Sequence, residues 1–407
     1  MTIDQQKKTI FFSGGYRPFF FGAATFSAVA MGLWVAELLG YFYLETSLAS
    51  VDWHRHEMVF GYTSAVMTGF LFTAVPNWTN SKPVIGRQLA AFYTLWIAGR
   101  IAMLFGNIIP YKVAIIIDSA FLIILALIIG RMIIRAKNWR NLKTLLTVVV
   151  MASANIWFHI EMLNDGTGEA PIRLGFAAML GILMIISGRI TPSFTRNWLT
   201  QKNKSAVPLL VPKPVGNMPV TFEAYDNILE RLSALIMLGW VFIDFVPAIW
   251  LPVMAVVFGL LGLAHFYRVW RWMGYKVIKN PLLVILHIFY AFIPAGYLVL
   301  AMGMWLDDSL IITGALHVFG VGALGGITIA VMMRVSLGNT GRKPLADLVL
   351  NVAIAAISIS VILRAVGAVW PQYYWAITTS GILWVIAFGI FCFRIGPLLF
   401  LPRSTKG

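Results

Sequence analysis

Apolar runs such as Val113 to Ile134 outlast the core helices of ordinary globular domains and match the roughly 20 residues an α-helix needs to cross a bilayer. Runs of this kind recur at approximately 18–41, 57–75, 88–106, 112–134, 143–163, 173–191, 228–246, 248–269, 281–303, 309–332, 345–366 and 372–396. The sequence therefore predicts an all-α, polytopic transmembrane helical bundle of about 12 spans. Composition agrees: 59% of residues are hydrophobic, and 12% charged residues are too few to cover a water-soluble surface of 407 residues.

A net charge of +15 would point to nucleic acid in a soluble chain, but here the cations lie in loops between apolar spans. They favour membrane lipid as the partner and no nucleic acid. Most of the 31 Lys and Arg residues fall on one side if the N-terminus is cytoplasmic, in clusters such as Arg131/Arg135/Lys137/Arg140/Lys143 and Arg268/Arg271/Lys276/Lys279. The exceptions are Arg55, Arg100, Lys112, Arg173 and Arg364. The positive-inside rule thus selects an N-in, C-in topology with an even number of spans. No small-residue cleavage site follows the first apolar run, so that span is expected to be permanent. Cys392 alone excludes a disulfide framework and any cysteine-based zinc or iron–sulfur site.

The longest polar interruption, Asn197 to Asn227, contains QKNKS and VPLLVPKPVGNMP and reads as a cytoplasmic linker. It divides a first six-helix half, 1–196, from a second, 228–407. Such a division prompts a search for an internal repeat. The only echo found is between SGRITPSFTRN at the end of the sixth span and MMRVSLGNTGR at the end of the tenth, and it reads as coincidence. Gly320, Gly322 and Gly325 satisfy the G-x-G-x-x-G pattern, but a dinucleotide site needs a preceding strand and a water-facing helix start. These glycines lie inside an apolar span, where Gly322 and Gly326 form a small-xxx-small face suited to close helix contact.

All six histidines fall in or beside a span, where an imidazole needs a partner. Neutral imidazole also binds copper, zinc and haem iron without burying a negative charge. The densest signal is Trp53-His54-Arg55-His56-Glu57-Met58 at a membrane interface. Two histidines at i, i+2 do not share a helical face, so both can bind one ion only if His54 stays in a loop or cap. The same string also reads as interfacial polar residues with an anchoring Trp. His317, roughly 12 Å below the outer boundary, has small apolar neighbours and no local ionic partner. His265 and His287 lie toward the inner side and serve equally as ligands or as donors to a neighbouring carbonyl. His159, followed by Glu161, is most simply a solvated helix end. Arginines beside hydroxyl residues at inner span ends, Arg17, Arg189, Arg196, Arg334 and Arg342, suit haem propionates or lipid headgroups.

Several of these segments resemble the NnrS family: GYRPFFFGAA, WHRHEMVFGYTSAVMTGFLFTAVPNWTNSKPVIGRQLAAFYTLWIAGR, SGRITPSFTRNW, PLLVILHIFYAFIPAGY and ALHVFGVGALGGITIAVMMRVSLGNTGR. The resemblance is weakest in the linker and the last two spans. It implies a multi-pass protein of the bacterial inner (cytoplasmic) membrane that carries b-type haem and copper and answers nitric oxide stress. The family pattern has His where this chain has Asn339, which gives that position a hydrogen-bonding or loop role here.

Within that expectation, His54, His56 and His317 are candidate ligands of an outer metal, and His265 and His287 are candidate haem ligands. Arg17, Arg189 and Arg334 are the propionate partners. Glu57 is the candidate catalytic proton donor, or else the ionic partner of Arg55 or of another span's cation. The expected function is binding of nitric oxide and its reduction to nitrous oxide, with electrons from an unidentified donor. A transporter or chaperone of haem, copper or a metal–nitrosyl species, without redox turnover, is the alternative.

Overall fold

A computed structural model of the protein describes residues 9–202 and 220–404. Most of the 197–227 linker lies outside the described residues. Among the described residues there is no strand, and twelve long helices follow the twelve apolar runs in order. They are α1 Tyr16–Leu38, α2 Ser50–Thr79, α3 Gly86–Leu104, α4 Tyr111–Arg135, α5 Leu142–Leu163 and α6 Glu169–Lys202. The later six are α7 Val220–Val241, α8 Leu251–Arg271, α9 Pro281–Leu306, α10 Ser309–Asn339, α11 Leu348–Val369 and α12 Tyr374–Arg394.

Ten of the twelve are long and apolar enough to cross a membrane, which makes the chain a multi-pass membrane protein. The other two, α3 and α7, fall short because they carry charge: Arg87 and Arg100 on α3, and Asp226, Glu230 and Arg231 on α7. Arg100, Asp226 and Glu230 are not lipid-facing errors in the pattern. Each enters an ion pair inside the protein, as an ionisable group in a span must.

Two compact units make up the chain: Met1–Met179 with Met332–Pro344 and Val385–Gly407, and Leu180–Val331 with Leu345–Trp384. In the first, the ends of the chain are tied together. Phe11 stacks on Phe400 at 4.3 Å between ring centroids, and the buried Arg17 donates through one Nη to the carbonyls of Leu399 (2.5 Å) and Leu401 (2.9 Å). In the second unit, α9 and α10 approach at glycines. A Cβ on Gly322 would meet Phe292 at 2.6 Å, and one on Gly326 would overlap Phe289. Gly322 of the false dinucleotide motif, with Gly326 beside it, thus serves helix packing.

α2 and α10 are two copies of one device. Each contains a π-helical segment that begins directly after a histidine: Glu57–Tyr62 after His56, and Val318–Gly325 after His317. A threonine at the end of α2 and one just past the end of α10 donate their hydroxyls to the carbonyl four residues back, Thr79 to Val75 at 2.8 Å and Thr340 to Ser336 at 2.7 Å. A residue of positive φ follows, Asn80 (49°) or Gly341 (75°), then Lys82-Pro83 or Lys343-Pro344, then the next helix. The histidine, the start of the π-helical segment, the threonine, the positive-φ residue and the Lys-Pro pair each recur 261 positions later, from His56 to His317 and from Thr79 to Thr340. The repeat therefore links the second and tenth spans. Its identical residues are few and widely spaced, so the shared local geometry is the stronger sign of kinship.

Candidate metal centre

The π-helical segment in α2 is where the site begins. A π turn holds one residue more than an α turn and releases backbone carbonyls from the regular ladder, and such turns recur at functional sites. The Gly61 carbonyl accepts from Trp96 Nε1 of α3 at 2.9 Å and from Ser64 Oγ at 3.1 Å. Gly61 also makes room: a Cβ there would stand 2.6 Å from Glu57 Oε2 and would overlap the Arg100 guanidinium. His56 and Glu57 open this segment, and both are fully buried.

Around them close α3, α4 and α5. Arg100 Nη1 donates to Glu57 Oε2 at 2.5 Å, and its Nη2 pairs with Asp118 Oδ1. His56 Nδ1 lies 2.9 Å from Glu57 Oε1, so that carboxylate holds the ring by its outer nitrogen. His56 Nε2 then faces Asp118 Oδ2 at 3.3 Å, and His159 Nε2 faces the same oxygen at 3.0 Å. Tyr111 OH lies 2.9 Å from His159 Nδ1, and Asn155 Nδ2 donates to Asp118 Oδ2 at 2.8 Å.

One ligand atom from each of His56, Asp118 and His159 lies within 4.8 Å of the others, so the three residues are able to hold a metal ion. The outer nitrogens bear the same sign: each ring is gripped at Nδ1, by Glu57 and by Tyr111, which is how metal-ligating histidines are usually oriented. Charge points the same way. Glu57 and Asp118 bring two negative charges and Arg100 one positive, and buried charge must be balanced. One more positive charge belongs in the cluster, either a proton on an imidazole or a metal cation.

Of the residues singled out in the sequence, the structure brings His56 and Glu57 into this cluster. It does not bring in His54. That residue lies within the helical turn Ser50–His56, not in a loop or cap, and its half-buried ring stacks on Trp34 with centroids 4.6 Å apart. His317 stands in the other unit, where Nδ1 donates to the Thr313 carbonyl at 2.8 Å. The copy of the device that holds His317 has Val318 where the first has Glu57, so it offers no adjacent carboxylate. Glu57 itself meets a cation of another span, Arg100, and not Arg55, which pairs with Asp52.

The two inner histidines also sit in the second unit. His287 Nδ1 donates to the Leu283 carbonyl at 3.0 Å, which leaves the lone pair on Nε2, 3.1 Å from Thr195 Oγ1. His265 is engaged at both nitrogens, by Ser233 Oγ at 2.8 Å and Tyr290 OH at 3.3 Å. Tyr290 in turn accepts from Arg268, which pairs with Glu230 and Asp226, while Asp226 also pairs with Arg271. Among the arginines, Arg17 is committed to the two C-terminal carbonyls, and Arg189 and Arg334 are half-buried on α6 and α10. Asn339 is exposed at the end of α10.

Asp118, Asn155, Arg100 and Tyr111 join the cluster although the sequence motifs do not mark them as site residues, and His159, expected at a solvated helix end, is buried. Two signals were available. Asp118 is a lone carboxylate in the most hydrophobic span of the chain, and Arg100 is one of the cations that break the charge bias. His159 lies four residues after Asn155, so both project from one face of α5 into the cluster.

Fold and site define a class: a polytopic helical membrane protein with a buried histidine–carboxylate cluster able to hold a metal ion. The chain belongs to the NnrS family, whose sequence model, described as NnrS protein, matches residues 10–403. No curated protein matches it.

Proposed function

We propose that the protein relieves nitric oxide stress in the bacterial inner membrane by binding the gas at a metal centre and reducing it to nitrous oxide. His56, Asp118 and His159 would hold copper, and the second unit would hold b-type haem. The observation that carries this reading is the convergence of two oriented imidazoles on one carboxylate oxygen in a buried cluster that lacks one positive charge. Two nitrogens and an oxygen suit a divalent ion of the first transition row, and copper(II) is the strongest binder of that row. For haem, His287 offers the fitting tautomer, with Nδ1 on a backbone carbonyl. His265 fits a polar relay better than haem ligation, since both its nitrogens are engaged, by Ser233 and Tyr290. Arg189 remains the propionate partner in that unit.

Reducing two nitric oxide molecules to nitrous oxide and water consumes two electrons and two protons, the electrons coming from a separate one-electron donor. When bound, the metals supply coordination of the gas and one-electron chemistry. The chain's own residues do the rest. Arg100 clamps both carboxylates, Glu57 fixes the direction of His56 by holding its Nδ1 proton, and Tyr111 connects His159 Nδ1 to the edge of the site. Because Glu57 is ion-paired, it serves as the acceptor that orients His56. Tyr111, half-buried at the first turn of α4, is the better entry for protons.

The test is to quantify iron and copper in the purified protein and to record its visible spectrum, oxidised and reduced, before and after nitric oxide. Haem bands that shift with the gas, stoichiometric copper that is lost in Asp118→Ala, and gas consumption with a supplied donor are expected. Metal-dependent flux into sealed vesicles without gas consumption would replace the enzyme reading with transport.

A further inference from the structure

Asn155 is buried at the edge of the cluster, with its amide between Asp118, His56 and Ser119. Its Nδ2 lies 2.8 Å from Asp118 Oδ2 and 3.1 Å from His56 Nε2, and Asp118 Oδ2 lies 3.0 Å from His159 Nε2 and 3.3 Å from His56 Nε2. In a tetrahedral site with metal–ligand bonds of roughly 2.0–2.1 Å, neighbouring ligand atoms are about 3.3 Å apart. Four of the six edges joining the three ligand atoms and the Asn155 amide nitrogen, 2.8–3.3 Å, thus already match that spacing, and the two histidine nitrogens lie within 4.8 Å of each other. The atom at the fourth vertex is of the wrong kind. An amide NH2 is only a donor of hydrogen bonds, whereas the Oδ1 on the same group has lone pairs to give.

Turning the amide over about its last side-chain bond exchanges the two atoms with little change of shape, since that torsion is broad and nearly two-fold. The far side accepts the exchange. Ser119 Oγ now donates to Asn155 Oδ1 at 3.3 Å, and a hydroxyl receives an NH2 as readily as it serves a carbonyl. We infer that Asn155 is the fourth ligand of the metal centre. In the metal-free protein its NH2 bridges His56 and Asp118, and on metal entry the amide turns and presents Oδ1. A neutral carbonyl adds no charge to a cluster that a divalent ion takes from one negative charge to one positive. The inference rests on the metal-centre reading given under Proposed function.

The alternative is that Asn155 only orients Asp118 and His56 as a donor. Two variants of the full-length protein, Asn155→Asp and Asn155→Leu, separate the two roles. Each is depleted of metal, titrated with copper(II) against a competing chelator, and examined by X-ray absorption for the number of nitrogen and oxygen ligands. Unfolding midpoints are measured with and without the ion. A ligand role predicts opposite signs for Asn155→Asp: the metal-free protein is less stable than wild type, because a carboxylate faces Asp118, while copper(II) binds at least tenfold more tightly. Asn155→Leu binds at least tenfold more weakly. If Asn155→Asp weakens binding as Asn155→Leu does, or if Asn155→Leu keeps the wild-type affinity and ligand number, the inference is overturned. Failure of the metal-centre reading looks different. Wild type would then take up no copper that His56→Ala or Asp118→Ala abolishes, and both readings would fall together.

Discussion

Replacing Arg100 by methionine keeps the length and flexibility of the side chain and removes the cation that Glu57 and Asp118 share. Two buried carboxylates are then left facing each other around the former guanidinium. At a separation of about 5 Å and an effective dielectric of about 20, their repulsion is about 3 kcal/mol. Removing one partner of a buried ion pair costs about 3–5 kcal/mol in general, so Arg100→Met should lower the stability of the metal-free protein by that amount. Adding Glu57→Gln to the same variant removes one of the two charges and should restore about half of the loss. Equilibrium unfolding in mixed micelles, followed by circular dichroism and tryptophan fluorescence, measures both. The charge argument is refuted if Arg100→Met stays within about 1 kcal/mol of wild type, the scale of an exposed pair, or if Glu57→Gln gives no recovery.

Gly61→Ala places a methyl group against Glu57 Oε2 and Arg100 and should destabilise by about 1–3 kcal/mol, the usual range for overpacking. Its copper occupancy should fall in parallel, and unchanged metal content would separate the glycine from the site. Tyr290→Phe removes the hydroxyl between Arg268 and His265 and should cost about 1–3 kcal/mol, as for a buried partner left unsatisfied. Stability equal to wild type would mean that water takes its place. His317 lies outside the cluster with its Nδ1 on the Thr313 carbonyl, so His317→Ala should keep the wild-type copper content; a loss of copper in that variant would return His317 to the site.

How much was legible beforehand follows from what each signal depends on. The spans were readable because a membrane imposes length and apolarity on each helix independently of the others, and all twelve runs became helices. The cluster was half readable. His56 and Glu57 are adjacent in sequence, so their chemistry shows as a motif, but Asp118 and Asn155 come from two other helices and acquire meaning only through packing. His54 illustrates the opposite error, in which proximity along the chain suggested a shared ligand role that helical periodicity denies. The repeat between α2 and α10 is faint in the sequence because its identical residues, His56/His317, Thr79/Thr340 and the two Lys-Pro pairs, are scattered through otherwise dissimilar apolar stretches. A glycine and an asparagine at positive φ are interchangeable to the backbone and different on paper.

The π-helical segment in α2 also says something about how such a centre is gained and lost. Because an α-helix turns about 100° per residue, one extra residue sets everything after it on a new face. In α2 the extra residue of Glu57–Tyr62 divides a helix that carries His56 on one register from a helix that packs Phe72 and Val75 on another. Deleting one codon from this segment would leave a regular span, still long enough for the bilayer and still apolar. It would also turn His56 and Glu57 away from α4 and α5 relative to the remainder of α2. Insertion into the membrane and possession of the site are thus specified by the same stretch of chain yet differ by a single triplet, which lets a lineage lose the chemistry while keeping the scaffold.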